Sequence, residues 1–219
     1  MNHEFFNTAD YSPFVLWTFL CGCLVWAVVY GITIRDIIVK KTVGIPIAAV
    51  AANFAWELYW GLGIFGSTDM GYLFQVAYFI WFFLDVYIVY ATFKYAKKQE
   101  PDPRAKKYQT TIAALFFAIW IIIFYFFIPE FDDRIGAFTG WIVNVNMSMA
   151  FILQKIKQPS FGDKKIAVGK FIGTLLCTTV VYFNFYENRT LVSLCFIFAI
   201  LDLIYIYMVY KQDNEQVVA

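Results

Sequence analysis

Seven predominantly apolar runs, at about 13–33, 44–66, 72–93, 109–129, 136–154, 168–186 and 190–210, occupy most of this chain of 219 residues. Each is close to the roughly 20 residues that a helix needs to cross about 30 Å of hydrocarbon. The connections are short, and no soluble stretch is appended. The pattern therefore predicts an all-α polytopic membrane protein, a single seven-helix transmembrane domain over 1–219. Composition agrees: 61% of residues are hydrophobic, 21% aromatic and only 15% charged, too little charge for a soluble domain of this length. A net charge of +1, with basic residues grouped at run ends, gives no footprint for nucleic acid.

Fifteen of the seventeen Lys and Arg residues follow the first, third, fifth and seventh runs; only Arg134 and Arg189 lie on the other side. The positive-inside rule then places the N-terminus outside, in lumen or periplasm, and the C-terminus in the cytoplasm. The expected location is a bacterial inner membrane or the endoplasmic reticulum membrane. The start, M-N-H-E-F-F-N-T-A-D, lacks the basic region of a cleaved signal, so the first run reads as a retained span. The stretch 94–108, K-Y-A-K-K-Q-E-P-D-P-R-A-K-K-Y, reads as a solvated connector near anionic headgroups. Cys21, Cys23, Cys177 and Cys195 sit in apolar runs, and the single histidine is His3. Neither metal ligation nor a disulfide is expected of them.

Three acids interrupt the runs: Glu57, Asp85 and Asp202. Each falls within about 4 Å of the middle of its run at 1.5 Å per residue. Charge at the bilayer centre is costly, so such groups face the bundle interior, pair, or stay protonated. No Lys or Arg is expected at their depth, so at least one acid is expected to keep its proton at neutral pH. Helical spacing groups Asn53, Trp56, Glu57 and Trp60 on one face of the second run, and Gln75, Tyr78, Trp81, Phe82 and Asp85 on one face of the third. Trp141, Asn144 and Ser148 share a face of the fifth, and Phe198, Asp202 and Tyr205 one of the seventh.

A neutral acid among rings can protonate an alkene or epoxide, the ring faces can hold the resulting cation, and a dry pocket delays its quenching. No cofactor is needed for that chemistry. The substrate-contacting candidates are Asn53, Trp56, Trp60, Tyr78, Trp81, Asp85, Trp141, Asn144 and Tyr205, with Glu57 and Asp202 as the catalytic acids. Lateral access from lipid suits a lipophilic prenylated substrate.

The stretch N-F-A-W-E-L-Y in the second run, with an Asp in the last of seven short runs, resembles the membrane-integral terpene cyclases of fungal meroterpenoid and indole-diterpene pathways and their bacterial relatives. The resemblance implies that Glu57 and Asp202 are the essential acids of a metal-independent, proton-initiated cyclisation. The substrate it implies is a linear prenyl or epoxyprenyl chain on an aromatic, indole or polyketide group. Glu57 and Asp202 are then expected to face each other across a cavity, Glu57 donating and Asp202 orienting it or returning the proton. E-F-D-D-R at 130–134 looks like the aspartate-rich motif of soluble cyclases, but its place in the outside connection reads as a solvated loop. The rival class, a proton-coupled small-molecule transporter, would also put acids at the midplane and would break its helices beside them. A retinal photoreceptor would need a lysine inside the seventh run, which has none before Lys211.

Overall fold

The computed structural model describes residues 11–64, 72–100, 102–133 and 136–218, with side chains omitted at 72–75 and beyond 211. Seven helices follow one another: Pro13–Lys40 (α1), Ile47–Gly61 (α2), Tyr72–Gln99 (α3), Pro103–Glu130 (α4), Ala137–Lys157 (α5), Lys164–Asn184 (α6) and Arg189–Val218 (α7). Five of them, α1, α3, α4, α6 and α7, are long and apolar enough to cross a membrane. The chain is a multi-pass integral membrane protein.

The other two helices, α2 and α5, pack on each other and on α3, α4 and α7. α2 has 15 residues, about 22 Å, and nine of them are buried. It lies against α3, α4 and α5. The run at 44–66 is thus a shorter helix than its hydropathy indicates. Gly63, with φ +63°, turns the chain, and the Ile64 N–H reaches back 3.1 Å to the Tyr59 carbonyl, the six-residue closure of a Schellman end. α5 carries Thr139, Asn144, Asn146 and Ser148 along its length and packs on α2 and α7. Facing protein more than lipid, it has no need of an apolar surface all round.

The stretch 94–108, which reads as a connector in sequence, is helical up to Gln99 and again from Pro103. Asp102 caps α4, its carboxylate accepting from the Arg104 N–H at 2.9 Å, and Pro103 occupies the first turn, where a missing N–H costs nothing. The basic ends still gather in one place. Lys157 of α5 pairs with Glu100 after α3 at 2.7 Å, and Gln99 accepts from the Val43 N–H at 2.8 Å.

α1 and α6 form the most extensive pairing, and glycines set its spacing. A Cβ on Gly22 would stand 2.7 Å from both the Gly173 carbonyl oxygen and Cys177 Sγ. Small residues let two backbones approach where lipid supplies no hydrophobic drive between helices. Gly22→Val is expected to cost about 1–3 kcal/mol by overpacking, read as a lower midpoint of thermal unfolding in detergent.

Candidate active site

Glu57 lies in the final third of α2, about one turn before its end at Gly61, with only 3% of its surface exposed. The hydroxyl of Tyr30, from α1, donates to its Oε1 at 3.4 Å. Asn53, one turn earlier on α2, donates through Nδ2 to the Tyr30 oxygen at 2.8 Å and to Asp85 Oδ2 of α3 at 2.7 Å. These contacts hold one edge of the glutamate carboxyl. The other oxygen, Oε2, is buried and has no hydrogen-bond partner among the described residues.

Glu57 forms part of the wall of a cavity of about 160 Å³ enclosed by α1, α2, α3, α5 and α6. Rings line much of the wall beside it. Trp56 meets Tyr78 edge to face at 4.9 Å between centroids, Tyr78 meets Trp81 likewise at 5.5 Å, and Trp81 stacks on Tyr30 at 6.5 Å. Across the cavity stand Trp141, Asn144 and Met147 of α5 and Thr174 and Cys177 of α6. Gly136 and Ala137, where α5 begins, and Phe185, just after α6, place one end of the cavity away from the basic end of the bundle.

Of the residues that the sequence singles out, Asn53, Trp56, Glu57, Tyr78, Trp81, Trp141 and Asn144 meet at this cavity. Trp60, Asp85, Tyr205 and Asp202 are not on its wall. Trp60 is buried behind Trp56, under Gly136, because the left-handed start of α5 (φ +66°) brings backbone over its indole. Asp85 lines a smaller cavity between α1, α2, α3 and α5. Tyr205 packs on Phe151 at 5.0 Å, beside Gly162 in the connection from α5 to α6. The side chain of Gln75 lies outside the described residues, as do His3 and Arg134.

Asp202 requires the largest correction. Lys170 Nζ lies 2.6 and 2.8 Å from its two oxygens and 2.8 Å from Ser148 Oγ, and both charged residues are 1% exposed. A cation does stand at the depth of this acid. Lys170 looks like one more end-of-helix base in the sequence, yet it is nearly two turns into α6 and points inward. The pair does not face Glu57 across the cavity. It reaches the wall indirectly, since Ser148 donates to the Asn144 carbonyl at 2.8 Å and Thr174 donates to Asn144 Oδ1 at 3.3 Å.

The acids at 130–134 are not all solvated either. Asp133 is buried and accepts from the Phe138 and Thr139 N–H groups and from Thr139 Oγ1, capping α5. Thr139 Oγ1 in turn accepts from Trp56 Nε1 at 3.0 Å, so this loop acid orients a ring of the cavity wall.

Sequence reading missed Phe19, Cys23, Trp26 and Tyr30 of α1 and Lys170, Thr174 and Cys177 of α6. The signal was present as spacing: 19, 23, 26, 30 and 170, 174, 177 are each one helix face. No acid marked those faces, and aromatic residues are too frequent in this chain for a ring alone to stand out.

The fold and the cavity define an integral membrane protein with an interior, ring-lined site for an apolar molecule. Residues 9–215 match the family of Pyr4-like transmembrane terpene cyclases. The chain is 23% identical to a Pyr4-family terpene cyclase, mfmH, of Annulohypoxylon moriforme, over 90% of this chain and 86% of that protein. It is 30% identical to the terpene cyclase ascF of Acremonium egyptiacum over 88 residues, 40% of this chain and 31% of that one. No solved structure matches. The chain belongs to the Pyr4-like transmembrane terpene cyclases. It is a membrane enzyme of the terpene cyclase kind, with a lipophilic terpenoid substrate. The helices run unbroken through Glu57, Asp85 and Asp202, unlike the broken helices of a midplane carrier.

Proposed function

We propose that Glu57 starts the reaction by giving its proton to the terminal alkene or epoxide of a linear prenyl chain carried on a meroterpenoid-type substrate. The observation that carries this reading is the free, buried Oε2 on a ring-lined cavity. A carboxyl group there is held on one edge by Tyr30, and its other oxygen is left for the substrate. Removing charge from water inside a bundle favours the neutral acid, the form that can donate. Trp56, Tyr78 and Trp81 offer ring faces to the cation as it moves through successive closures. Loss of a proton from carbon ends the sequence, so the reaction is an isomerisation in mass balance and asks for no cofactor.

Asp202 serves in this scheme with Lys170 as a positioning group. Through Ser148 it steadies the stretch of α5 that presents Asn144 and Trp141 to the cavity.

Mass spectrometry of membranes supplied with linear prenylated and epoxyprenylated phenols tests the reading. The expected product has the substrate's mass and a different retention time. Trp81→Leu is expected to keep initiation but lose control of the cation, raising the share of partly cyclised and hydrated products several-fold. Conversion with an unchanged product profile in Trp81→Leu would remove the ring wall from the mechanism.

A further inference from the structure

A second, small cavity of about 30 Å³ lies behind the substrate site, toward the basic end of the bundle. It shares Tyr30 and Asn53 with the main cavity and adds Asp85 and Thr33. Its size suits one or two water molecules. Thr33 is 1% exposed and its Oγ1 has no hydrogen-bond partner among the described residues, so a polar atom waits at this wall for a small polar guest. Among the described residues, the Glu57 carboxyl is held from the wall that the two cavities share: Tyr30 donates to Oε1, and Asn53 ties Tyr30 to Asp85.

We propose that Asp85, water held beside Thr33, and Tyr30 form the route by which Glu57 regains its proton between turnovers, from the side of the bundle away from the substrate. The inference rests on Glu57 being the initiating acid. Initiation moves a proton from Glu57 to the substrate and leaves a carboxylate. Ring closure ends with loss of a proton from a carbon several bonds away from the point of attack, to solvent at the far end of the substrate cavity. The cycle consumes no net proton, yet Glu57 is left short of one. Asp85 gives its proton to the water, the water gives one to the Tyr30 oxygen, and Tyr30 passes its own to Glu57 Oε1; a turn of the carboxyl then presents the acid to the cavity. Asp85 is restored from solvent at the basic end. Recharging from behind keeps bulk water away from the cation, where it would end the cyclisation early.

Rapid-quench kinetics on the purified protein in nanodiscs, with the linear epoxyprenyl phenol that the product assay shows to be converted, separates the first turnover from the steady state. Asp85→Asn is expected to form close to one product per enzyme in the first turnover and then to run at least tenfold slower than the parent. Thr33→Val, which exchanges a hydroxyl for a methyl of similar shape, is expected to slow the steady state about threefold to tenfold and to raise its solvent deuterium isotope effect, leaving the first turnover fast. A steady state unchanged in Thr33→Val, or a first turnover that falls in parallel with it, overturns the relay, even where Asp85→Asn does not fold. Glu57→Gln distinguishes the two levels: a first turnover that survives in it defeats the Glu57 assignment itself, whereas its loss together with unaltered Asp85→Asn kinetics defeats only the relay.

Discussion

Glu57→Gln is expected to lower cyclisation by roughly 10²–10⁴-fold, the usual worth of a positioned general acid, without unfolding the protein. The amide keeps the shape of the side chain and can still accept from Tyr30, which donates to Oε1 in the parent. What it cannot do is release a proton to a hydrocarbon or epoxide. Because Oε2 has no partner among the described residues, no protein hydrogen bond is lost at that atom to confuse the result. Glu57→Asp is the useful companion. Its acid is drawn back by one methylene, and a displacement of about 1 Å from the reacting atom can cost 10²-fold, so some activity should remain. Product yield by mass spectrometry, alongside the thermal unfolding midpoint, reads both. An active Glu57→Gln variant would leave the buried carboxyl without a role in initiation.

Lys170→Met is expected to destabilise the protein by about 3–5 kcal/mol, because it strands the buried carboxylate of Asp202 without its cation. The same reasoning makes Asp202→Leu harmful, since it strands the ammonium. Together the two changes remove both charges and leave apolar groups of similar size. Replacing a whole buried pair in this way is often neutral or stabilising. The double variant Lys170→Met, Asp202→Leu is therefore expected to recover most of the stability lost by either single change, and to keep cyclisation within about tenfold of the parent. Thermal unfolding in detergent and product yield check the two halves separately. A double variant that folds but makes no product would assign Asp202 a direct part in the chemistry, beyond holding α6 and α7 to Ser148 of α5.

The difference between those experiments follows from what each acid has around it. Both acids are buried, and both lie in apolar runs that look alike in sequence. Glu57 is surrounded by neutral hydrogen-bonders and rings. Asp202 has a cation at 2.6 Å. Only the first is free to be the acid of the reaction on the reading given above.

Much of the architecture was legible from the chain alone. Lipid imposes a length and a hydropathy on whatever crosses it, so α1, α3, α4, α6 and α7 announce themselves as runs. The same rule misjudged α2, where burial against three other helices replaces exposure to lipid and a Schellman turn ends the helix early. Glu57 was legible as well, because an acid in a continuous apolar stretch has few explanations, and its neighbours Asn53, Trp56, Tyr78 and Trp81 followed from 3.6-residue spacing.

Partners across helices were not legible. Lys170 and Asp202 are 32 residues apart, and nothing in local pattern says that the lysine of α6 turns inward while Lys164 and Lys165 cap the basic end. Tyr30 meets Glu57 from 27 residues away, and Asp133 reaches Trp56 through Thr139. The sequence by itself determined the medium, the helices and the acid that most needs explaining, because those depend on the transfer of each residue from water. Which acid is paired and which is left open to a cavity was decided only by tertiary structure, because that depends on how seven similar helices are rotated about their own axes.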